Sequence, residues 1–321
     1  MPILPARSPS RDGIHVVDTG FQRPRFDAAY LLVDAGRAAF IDTGTRHGVP
    51  RLLGALAAAG LTPAEVDYVV LTHVHLDHAG GAGVLMVELP HARLVVHPRG
   101  ARHMIDPSAL YEGARQVYGD EEMARSYGAV LGVAPGRVIE THDGMTIAVG
   151  GRELLVLDTP GHARHHNCYW DAAGRGVFTG DTFGLSYREL DVDGRPWLLP
   201  TSTPVQFDPE ALKASVRRIL ALGPERLHLT HYGSVGDVPR LGALMLAQVD
   251  AMVDVARSAS AMPDEGRHAA LKAGLAALYL RGLREHGSTL GDAELLELLA
   301  LDIELNAQGV GIWLDGRAGK R

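Results

Sequence analysis

Residues 71–81 have the sequence LTHVHLDHAGG, in which three histidines and one aspartate lie close together. They follow a short apolar run that predicts a buried strand. In an extended or turning segment, His73 and His75 point the same way, whereas Asp77 and His78 are carried around the following turn. The stretch therefore predicts a loop at the end of a strand that serves two adjacent metal sites.

Other potential metal ligands follow apolar runs elsewhere in the chain. His162 lies in DTPGH, Asp181 in FTGDTFG and His231 in LTHYG, each in a loop that contains glycine. Loops at one edge of a rigid sheet commonly deliver ligands to one point. Cys168 is the only cysteine, so histidine and carboxylate must supply the ligands of any metal. Cys168 itself is predicted to be a small buried residue in a strand.

The pattern around these motifs alternates between strands and helices. Strands are predicted within residues 13–44 and at 66–71 and 93–97, with helices at 50–59 and 82–89. Residues 99–132 are expected to be helical and irregular. A second sheet is predicted from the runs at 137–140, 145–149, 153–158, 167–170 and 176–179. A helix at 209–222, capped by Asp208, and a strand at 226–230 complete the alternation.

The order of these motifs resembles that of the metallo-β-lactamase superfamily. Asp42 in FIDTG comes first, followed by HVHLDH and then by His162, Asp181 and His231. The resemblance covers about residues 13–235. It implies an α/β fold, a four-layer αββα sandwich, to which this chain adds a C-terminal helical layer.

The resemblance also implies a binuclear metal centre. The first metal ion would be held by His73, His75 and His162, and the second by Asp77, His78 and His231, with Asp181 bridging the two. Asp42 would support the ligands from behind. His165 and His166 are left outside this predicted ligand set.

The chemistry expected of such a centre is hydrolysis. Zinc is the default metal, and manganese or iron would bind the same ligands. A hydroxide that bridges the two ions is the expected nucleophile, and Asp77 is the expected catalytic residue, because it can orient that nucleophile or accept its proton.

Composition limits the partners. The 321-residue chain has a formal net charge of -7, which disfavours nucleic acid as a partner. The amino-terminal segment has no apolar stretch long enough for a signal peptide, and no run of the chain is long enough to span a membrane. The sequence therefore predicts a cytoplasmic protein that acts on a small molecule.

The composition changes after Gly236, and this change predicts two domains, 1–236 and 237–321. Runs rich in Ala and Leu at 241–260, 267–286 and 292–308 predict three helices. Their apolar faces would pack over or beside the metal cleft, or form a homodimer surface. Residues 188–204, which include Trp197, are either a substrate-facing loop or a structural crossing.

Several branches of the superfamily are compatible with this chain to different degrees. Antibiotic-hydrolysing lactamases generally lack an aspartate at the position of Asp181 and are exported, and nucleases typically carry an inserted domain or a basic exosite. The chain is more similar to glyoxalase-II-like thioesterases and acyl-homoserine-lactone lactonases. A small-molecule ester, lactone or thioester is therefore the expected substrate.

Two other functions remain open at this stage. One is a persulfide dioxygenase with a single iron ion held by two histidines and an aspartate. The other is a non-catalytic ligand-binding protein on the same scaffold, against which the complete ligand set argues.

Overall fold

The computed structural model describes residues 12–202 and 205–318. The chain divides into two compact units. The first unit extends to Asp158 and also contains His165–Gly180 and Thr230–Ser234, and the second contains Thr159–Arg164, Asp181–Leu229 and the chain from Val235. The boundary expected at residue 236 stays a prediction. Residues 1–11, most of the segment searched for a signal peptide, lie outside the described residues.

The first unit contains a six-stranded sheet in sequential order. Its first three strands pair antiparallel, and the third to sixth pair parallel. The strands are β1 (Ile14–Asp18), β2 (Ala28–Asp34), β3 (Arg37–Ile41), β4 (Val66–Val70), β5 (Arg93–Val96) and β6 (Val138–Glu140).

The position of β6 differs from the prediction, which placed this run in the second sheet. Instead, Val138 pairs with Leu94 of β5, so that β6 forms the edge of the first sheet. The side chain of Arg137 fixes this placement by donating hydrogen bonds to three carbonyl groups at the ends of neighbouring elements, those of Met86, Leu89 and Ala92. These partners lie about 50 residues away, beyond the reach of a local pattern.

The second sheet within the first unit is an antiparallel meander. Its strands are β7 (Thr146–Val149), β8 (Arg152–Asp158), β9 (Asn167–Asp171) and β10 (Gly176–Gly180). Cys168 is buried in β9, as predicted, and its Sγ donates to the carbonyl of Thr179.

Alternating side chains of β2 explain how the first unit is layered. Tyr30 and Leu32 face the second sheet, where they pack with residues such as Val156 and Phe178. Leu31 points the opposite way, because successive side chains of a strand lie on opposite faces. The first sheet is therefore buried on both faces.

Helices cover the outer face of the first sheet, and four of them contribute buried apolar side chains to its core: α1, α2, α3 and α4. The helices of this unit are α1 (Val49–Ala58), α2 (Leu76–Ala79), α3 (Ala82–Glu88), α4 (Pro98–Ile105), α5 (Ser108–Tyr118) and α6 (Asp120–Glu122). The short helix α2 begins inside the motif quoted above. It turns the chain between His75 and His78.

In the second unit, α7 (Pro209–Ala221) begins at the predicted cap. The carboxylate of Asp208 accepts hydrogen bonds from the backbone N–H groups of Glu210 and Ala211, both at 3.1 Å. Two short strands follow along the chain: β11 (Arg226–Leu229) lies in the second unit, whereas β12 (Gly233–Val235) begins in the segment that belongs to the first unit.

Four helices end the described chain, where three were predicted: α8 (Val238–Ser258), α9 (Asp264–His286), α10 (Asp292–Leu298) and α11 (Ala300–Ala318). The predicted third helix is divided at Leu299, whose φ of -100° and ψ of 9° interrupt the helical backbone. Leu299 is itself buried, so packing compensates for the break. None of the described helices combines the length and the apolar run needed to cross a membrane.

Candidate metal centre

The loop after β4 brings the first two histidines of the motif together. Nε2 of His73 lies 2.8 Å from Nδ1 of His75, and the ring of His73 is fully buried. Nδ1 of His73 lies 3.1 Å from the hydroxyl of Thr72. That hydroxyl donates its proton to Asp42 at 2.7 Å, so its oxygen accepts the N–H of His73. Nε2 of His73 therefore keeps its lone pair and can bind a metal ion.

Asp42 lies behind this loop and restrains it. One carboxylate oxygen accepts the backbone N–H of Thr72 at 2.8 Å, while the other accepts the Thr72 hydroxyl and lies 3.6 Å from Nδ1 of His78. The residue has a φ of 58°, a left-handed conformation that aspartate adopts more readily than most residues. Asp42 thus contacts the loop from behind, although its supporting role remains a prediction.

Asp77 and His78, which end the motif, lie beside His231 and form with it a group of one carboxylate and two imidazoles. Oδ2 of Asp77 lies 3.4 Å from Nε2 of His78 and 3.7 Å from Nε2 of His231. Nδ1 of His231 lies 2.9 Å from the carbonyl of Phe26. A carbonyl only accepts, so Nδ1 carries the proton and Nε2 of His231 presents a lone pair to Asp77. Two acceptors that face each other in this way require a cation or a proton between them.

The two halves of the motif form one cluster, because the ring centroids of His73 and His78 are only 4.1 Å apart. Burial tends to raise the pKa of Asp77, but the neighbouring His78 and His231 outweigh burial and lower its pKa. An ionised Asp77 is suited to bind a cation.

Three further residues approach this cluster without having been predicted as ligands. The ring of His166 stacks on that of His73 at 4.9 Å, and the ring of His165 lies 5.5 Å from that of His75. Burial lowers the pKa of His165 to about 4, so this ring is neutral near pH 7. The third residue, Asp27, was missed entirely.

Asp27 precedes β2 and is fully buried. One of its carboxylate oxygens lies within 4.8 Å of ring nitrogens of His78 and His231. Burial raises its pKa to about 7, against the opposing effect of His231 and then His78. Its only sequence signal is weak, because a charged residue directly before the apolar run AAYLL lies in no recognisable motif.

The remaining two predicted ligands, His162 and Asp181, come together in the second unit. Nε2 of His162 lies 3.4 Å from Oδ2 of Asp181. Nδ1 of His162 lies 3.0 Å from the hydroxyl of Thr201, which donates to the backbone carbonyl of Asp181 at 3.3 Å. Nδ1 therefore carries the proton, and Nε2 again directs a lone pair at a carboxylate.

Thr201 belongs to a segment held by the C-terminal helices. The neighbouring Ser202 donates its backbone N–H to the side chain of Asn306 in α11 at 2.7 Å, and Asn306 donates to the carbonyl of Pro200 at 3.0 Å. Trp197 in this segment is buried and packs on Tyr279 of α9, with 6.5 Å between ring centroids. The part from Trp197 to Ser202 is therefore anchored to the C-terminal helices, and whether the segment also faces a substrate stays a prediction. Thr203 and Pro204 lie outside the described residues.

The described geometry places five of the seven predicted ligands in the first unit and two in the second. The first five are His73, His75, Asp77, His78 and His231, and the other two are His162 and Asp181. Their donors are imidazole nitrogens and carboxylate oxygens, a combination that suits zinc, iron and manganese. The described residues thus carry clusters that can bind metal ions, and the number and identity of the ions stay predictions.

Comparisons with known proteins identify the family. The model of the metallo-beta-lactamase superfamily matches residues 23–231, more than half of the chain. The chain is 26% identical over 228 residues to the metallo-beta-lactamase fold-containing protein ST1585 of Sulfurisphaera tokodaii, covering 70% of this chain and 79% of that protein. The crystal structure of ST1585 matches with a TM-score of 0.60 over 74% of this chain and 86% of that chain.

Two further proteins extend the comparison. The structure of the metallo-beta-lactamase family protein TTHA1429 from Thermus thermophilus covers 96% of this chain and 94% of that chain, with a TM-score of 0.65 and 21% identity. A hydroxyacylglutathione hydrolase from Synechococcus is 32% identical over 155 residues, which are 48% of this chain and 47% of that enzyme. The predicted α/β fold class, with C-terminal helices added, is confirmed. This chain belongs to the metallo-β-lactamase superfamily.

Proposed function

We propose that the protein is a hydrolase that binds two divalent metal ions, zinc by default, and cleaves a small-molecule ester, lactone or thioester. One observation carries the proposal: three buried histidines each donate the proton on Nδ1 to a neighbouring oxygen and keep the lone pair on Nε2. These are His73, His162 and His231. For His162 and His231, the group that Nε2 faces is a carboxylate. A cation between them satisfies both acceptors, and without a cation the imidazole must carry a second proton on Nε2.

The donor set fits two ions held by histidine and carboxylate. His73 and His75 supply one pair of nitrogens, and Asp77, His78 and His231 supply the other group. We propose that His162 and Asp181 complete the set, with Asp181 bridging, as the order of the motifs in this family implies. When bound, two such ions lower the pKa of a water molecule and polarise a substrate carbonyl.

Residues of this chain have separate tasks in the proposed reaction. Burial tends to raise the pKa of Asp77, but His78 and His231 lower it overall, so the carboxylate stays ionised and can orient the attacking water by accepting its hydrogen bond. Asp42 and Thr72 fix the tautomer of His73, so that its ligand nitrogen stays unprotonated. The hydroxyl of Thr201 does the same for His162.

The proposed substrate class rests on two arguments. First, the relative from Synechococcus is named as a hydrolase of hydroxyacylglutathione, an acylated thiol, although the similarity spans only about half of each chain. Second, the net charge of -7 disfavours a polyanionic substrate such as nucleic acid. A thioester or a related small ester is therefore the first substrate to try.

The test is elemental analysis of the full chain purified without added metal, combined with hydrolysis assays on thioesters, esters and lactones. We expect about two metal ions per chain. Asp181→Ala should lower both the metal content and the hydrolysis rate. Asp254→Ala, which removes an exposed carboxylate from α8, is the matched control and should change neither.

Two results would contradict the proposal. One is a single iron ion per chain together with oxygen consumption on a persulfide, which would indicate the dioxygenase. The other is full metal occupancy and unchanged hydrolysis in Asp181→Ala.

A further inference from the structure

Asp27 is a buried carboxylate that the ligand set above does not use. Its position directly before β2 is fixed by Thr19 of the neighbouring segment: Thr19 donates its backbone N–H to the carbonyl of Asp27 at 3.0 Å and its hydroxyl to Oδ2 at 2.6 Å. The other oxygen, Oδ1, has no hydrogen-bond partner among the described residues. Leaving a carboxylate oxygen buried and unpaired is costly unless a cation lies beside it.

Asp27 lies beside the part of the proposed metal centre that contains His78 and His231. A carboxylate oxygen of Asp27 is within 4.8 Å of ring nitrogens of both His78 and His231. Donor atoms that share one metal ion lie roughly 3–4 Å apart, since each is about 2.0–2.2 Å from the metal. The separation is at most 4.8 Å, so a shift of no more than about 1–2 Å brings the donors within reach of one ion.

The same stretch of chain also positions His231. The carbonyl of Phe26 accepts the N–H on Nδ1 of His231, and the ring of Phe26 packs edge-on against it at 5.5 Å. Farther along, the backbone N–H of Ala28 donates to the carbonyl of Thr230 at 2.7 Å. Residues 26–28 are therefore held against the segment that carries His231, and Asp27 cannot move away from the rings without breaking these contacts.

We infer that Asp27 is a metal ligand, which together with Asp77, His78 and His231 binds one divalent ion inside the first unit. This inference rests on the proposed function, because it assigns a residue to one of the two ions. Two carboxylates balance the charge of a divalent cation, and two imidazoles complete four donors. The first unit thus contains a complete donor set for one ion.

The test is zinc titration of the metal-stripped full chain by calorimetry, with elemental analysis of the reloaded protein. Wild-type protein should bind two zinc ions, and Asp27→Ala should lose one of them or bind it on the order of 100-fold more weakly. The matched control is Asp171→Asn, which alters another fully buried aspartate, paired with Arg152, and should leave both binding events intact.

A second variant separates a ligand from a structural residue. Asp27→Asn keeps the shape of the side chain and its acceptor for Thr19, but removes the charge. If Asp27 is a ligand, the melting temperature of metal-free Asp27→Asn should equal or exceed that of the metal-free wild-type protein. The rise in melting temperature that zinc produces should be smaller in the variant than in wild type.

The outcomes distinguish this inference from the proposed function. Fewer than two zinc ions in wild-type protein would contradict the binuclear hydrolase itself. Two ions in wild type and two with unchanged affinity in Asp27→Ala would overturn only the role of Asp27. An equal fall in the melting temperatures of metal-free and zinc-loaded Asp27→Asn would also overturn it.

Discussion

The two units each use a threonine hydroxyl to hold a histidine, but they position that threonine in different ways. In the first unit, Thr72 lies next to His73 in sequence and 3.1 Å from its Nδ1. In the second, Thr201 lies 39 residues after His162 and 3.0 Å from its Nδ1. Both threonine hydroxyls contact Nδ1 of a histidine, but only Thr72 is adjacent in sequence to the histidine that it contacts.

The difference shows what the C-terminal helices contribute. Thr72 is fixed by Asp42, at the end of the neighbouring strand of the same sheet. Thr201 is fixed through Ser202, which is anchored by Asn306 of α11. The added helices therefore act on the proposed ligands of the second unit through a buried crossing. Four predictions test this contrast.

The largest effect is expected from removal of residues 237–321. This truncation removes Tyr279, on which the buried Trp197 packs, and burial of a large apolar side chain contributes about 1.5–3 kcal/mol. It also removes Gln248 and Asn306, which donate to the carbonyls of Leu198 and Pro200. A net stability of about 5–15 kcal/mol cannot absorb this loss together with the lost anchors of the crossing. We expect insoluble protein or no cooperative melting transition, measured against the full chain. Soluble truncated protein with unchanged metal content would show that the helices do not support the ligands.

Asn306→Ala should have the next largest effect. It leaves the buried N–H of Ser202 and the carbonyl of Pro200 without partners, which costs about 3 kcal/mol in the free energy of unfolding. Urea denaturation measures the loss. Gln308→Ala is the control on the same helix, because Gln308 bonds only Glu304 one turn away, and it should cost about 0.5 kcal/mol or less. Equal losses in the two variants would contradict the proposed anchor.

Asp42→Asn tests the local support in the first unit. The amide cannot accept at both positions that contact Thr72, so the proton on the Thr72 hydroxyl and the tautomer of His73 are no longer fixed. We expect zinc affinity to fall about 10–100-fold, measured by competition with a chromophoric chelator. Asp67→Asn, at a partly exposed ion pair with Arg37, is the control and should keep wild-type affinity.

The smallest effect is expected from Thr201→Val, which removes one hydroxyl from Nδ1 of His162 and changes little volume. A single neutral hydrogen bond contributes about 1 kcal/mol, so zinc affinity should fall about fivefold. Thr201→Ser keeps the hydroxyl and should keep the affinity. If the valine and serine variants bind zinc equally well, Thr201 does not fix the tautomer of His162.

The contrast between contacts to sequence neighbours and contacts to distant residues explains which features the sequence could predict. The HxHxDH loop, the strand before it and the Asp208 cap depend on neighbouring residues, and local patterns found them. The sheet to which β6 belongs depends on Arg137 and on carbonyls about 50 residues away, so the local pattern assigned it wrongly. The break at Leu299 has no glycine or proline to mark it within residues 292–308 and was missed as well.

Within the site, the predicted residues were those that follow strands in recognisable motifs. Asp27 was missed because a single aspartate before an apolar run has no motif, and its meaning depends on His78 and His231 coming close to it. Thr201 was missed because nothing in its own surroundings connects it to His162. The roles of the seven predicted ligands stay predictions until metal content is measured.

The segment Thr230–Ser234 belongs to the first unit although it follows most of the second unit along the chain. During synthesis, residues 73–78 leave the ribosome about 150 residues ahead of His231, which corresponds to roughly 8–30 s at about 5–20 residues per second. Until His231 has been synthesised, Asp77 and His78 lack this neighbour. Any ion that binds through His231 can therefore be held by its full set of ligands only after most of the protein has been translated, whereas His73 and His75 are synthesised much earlier.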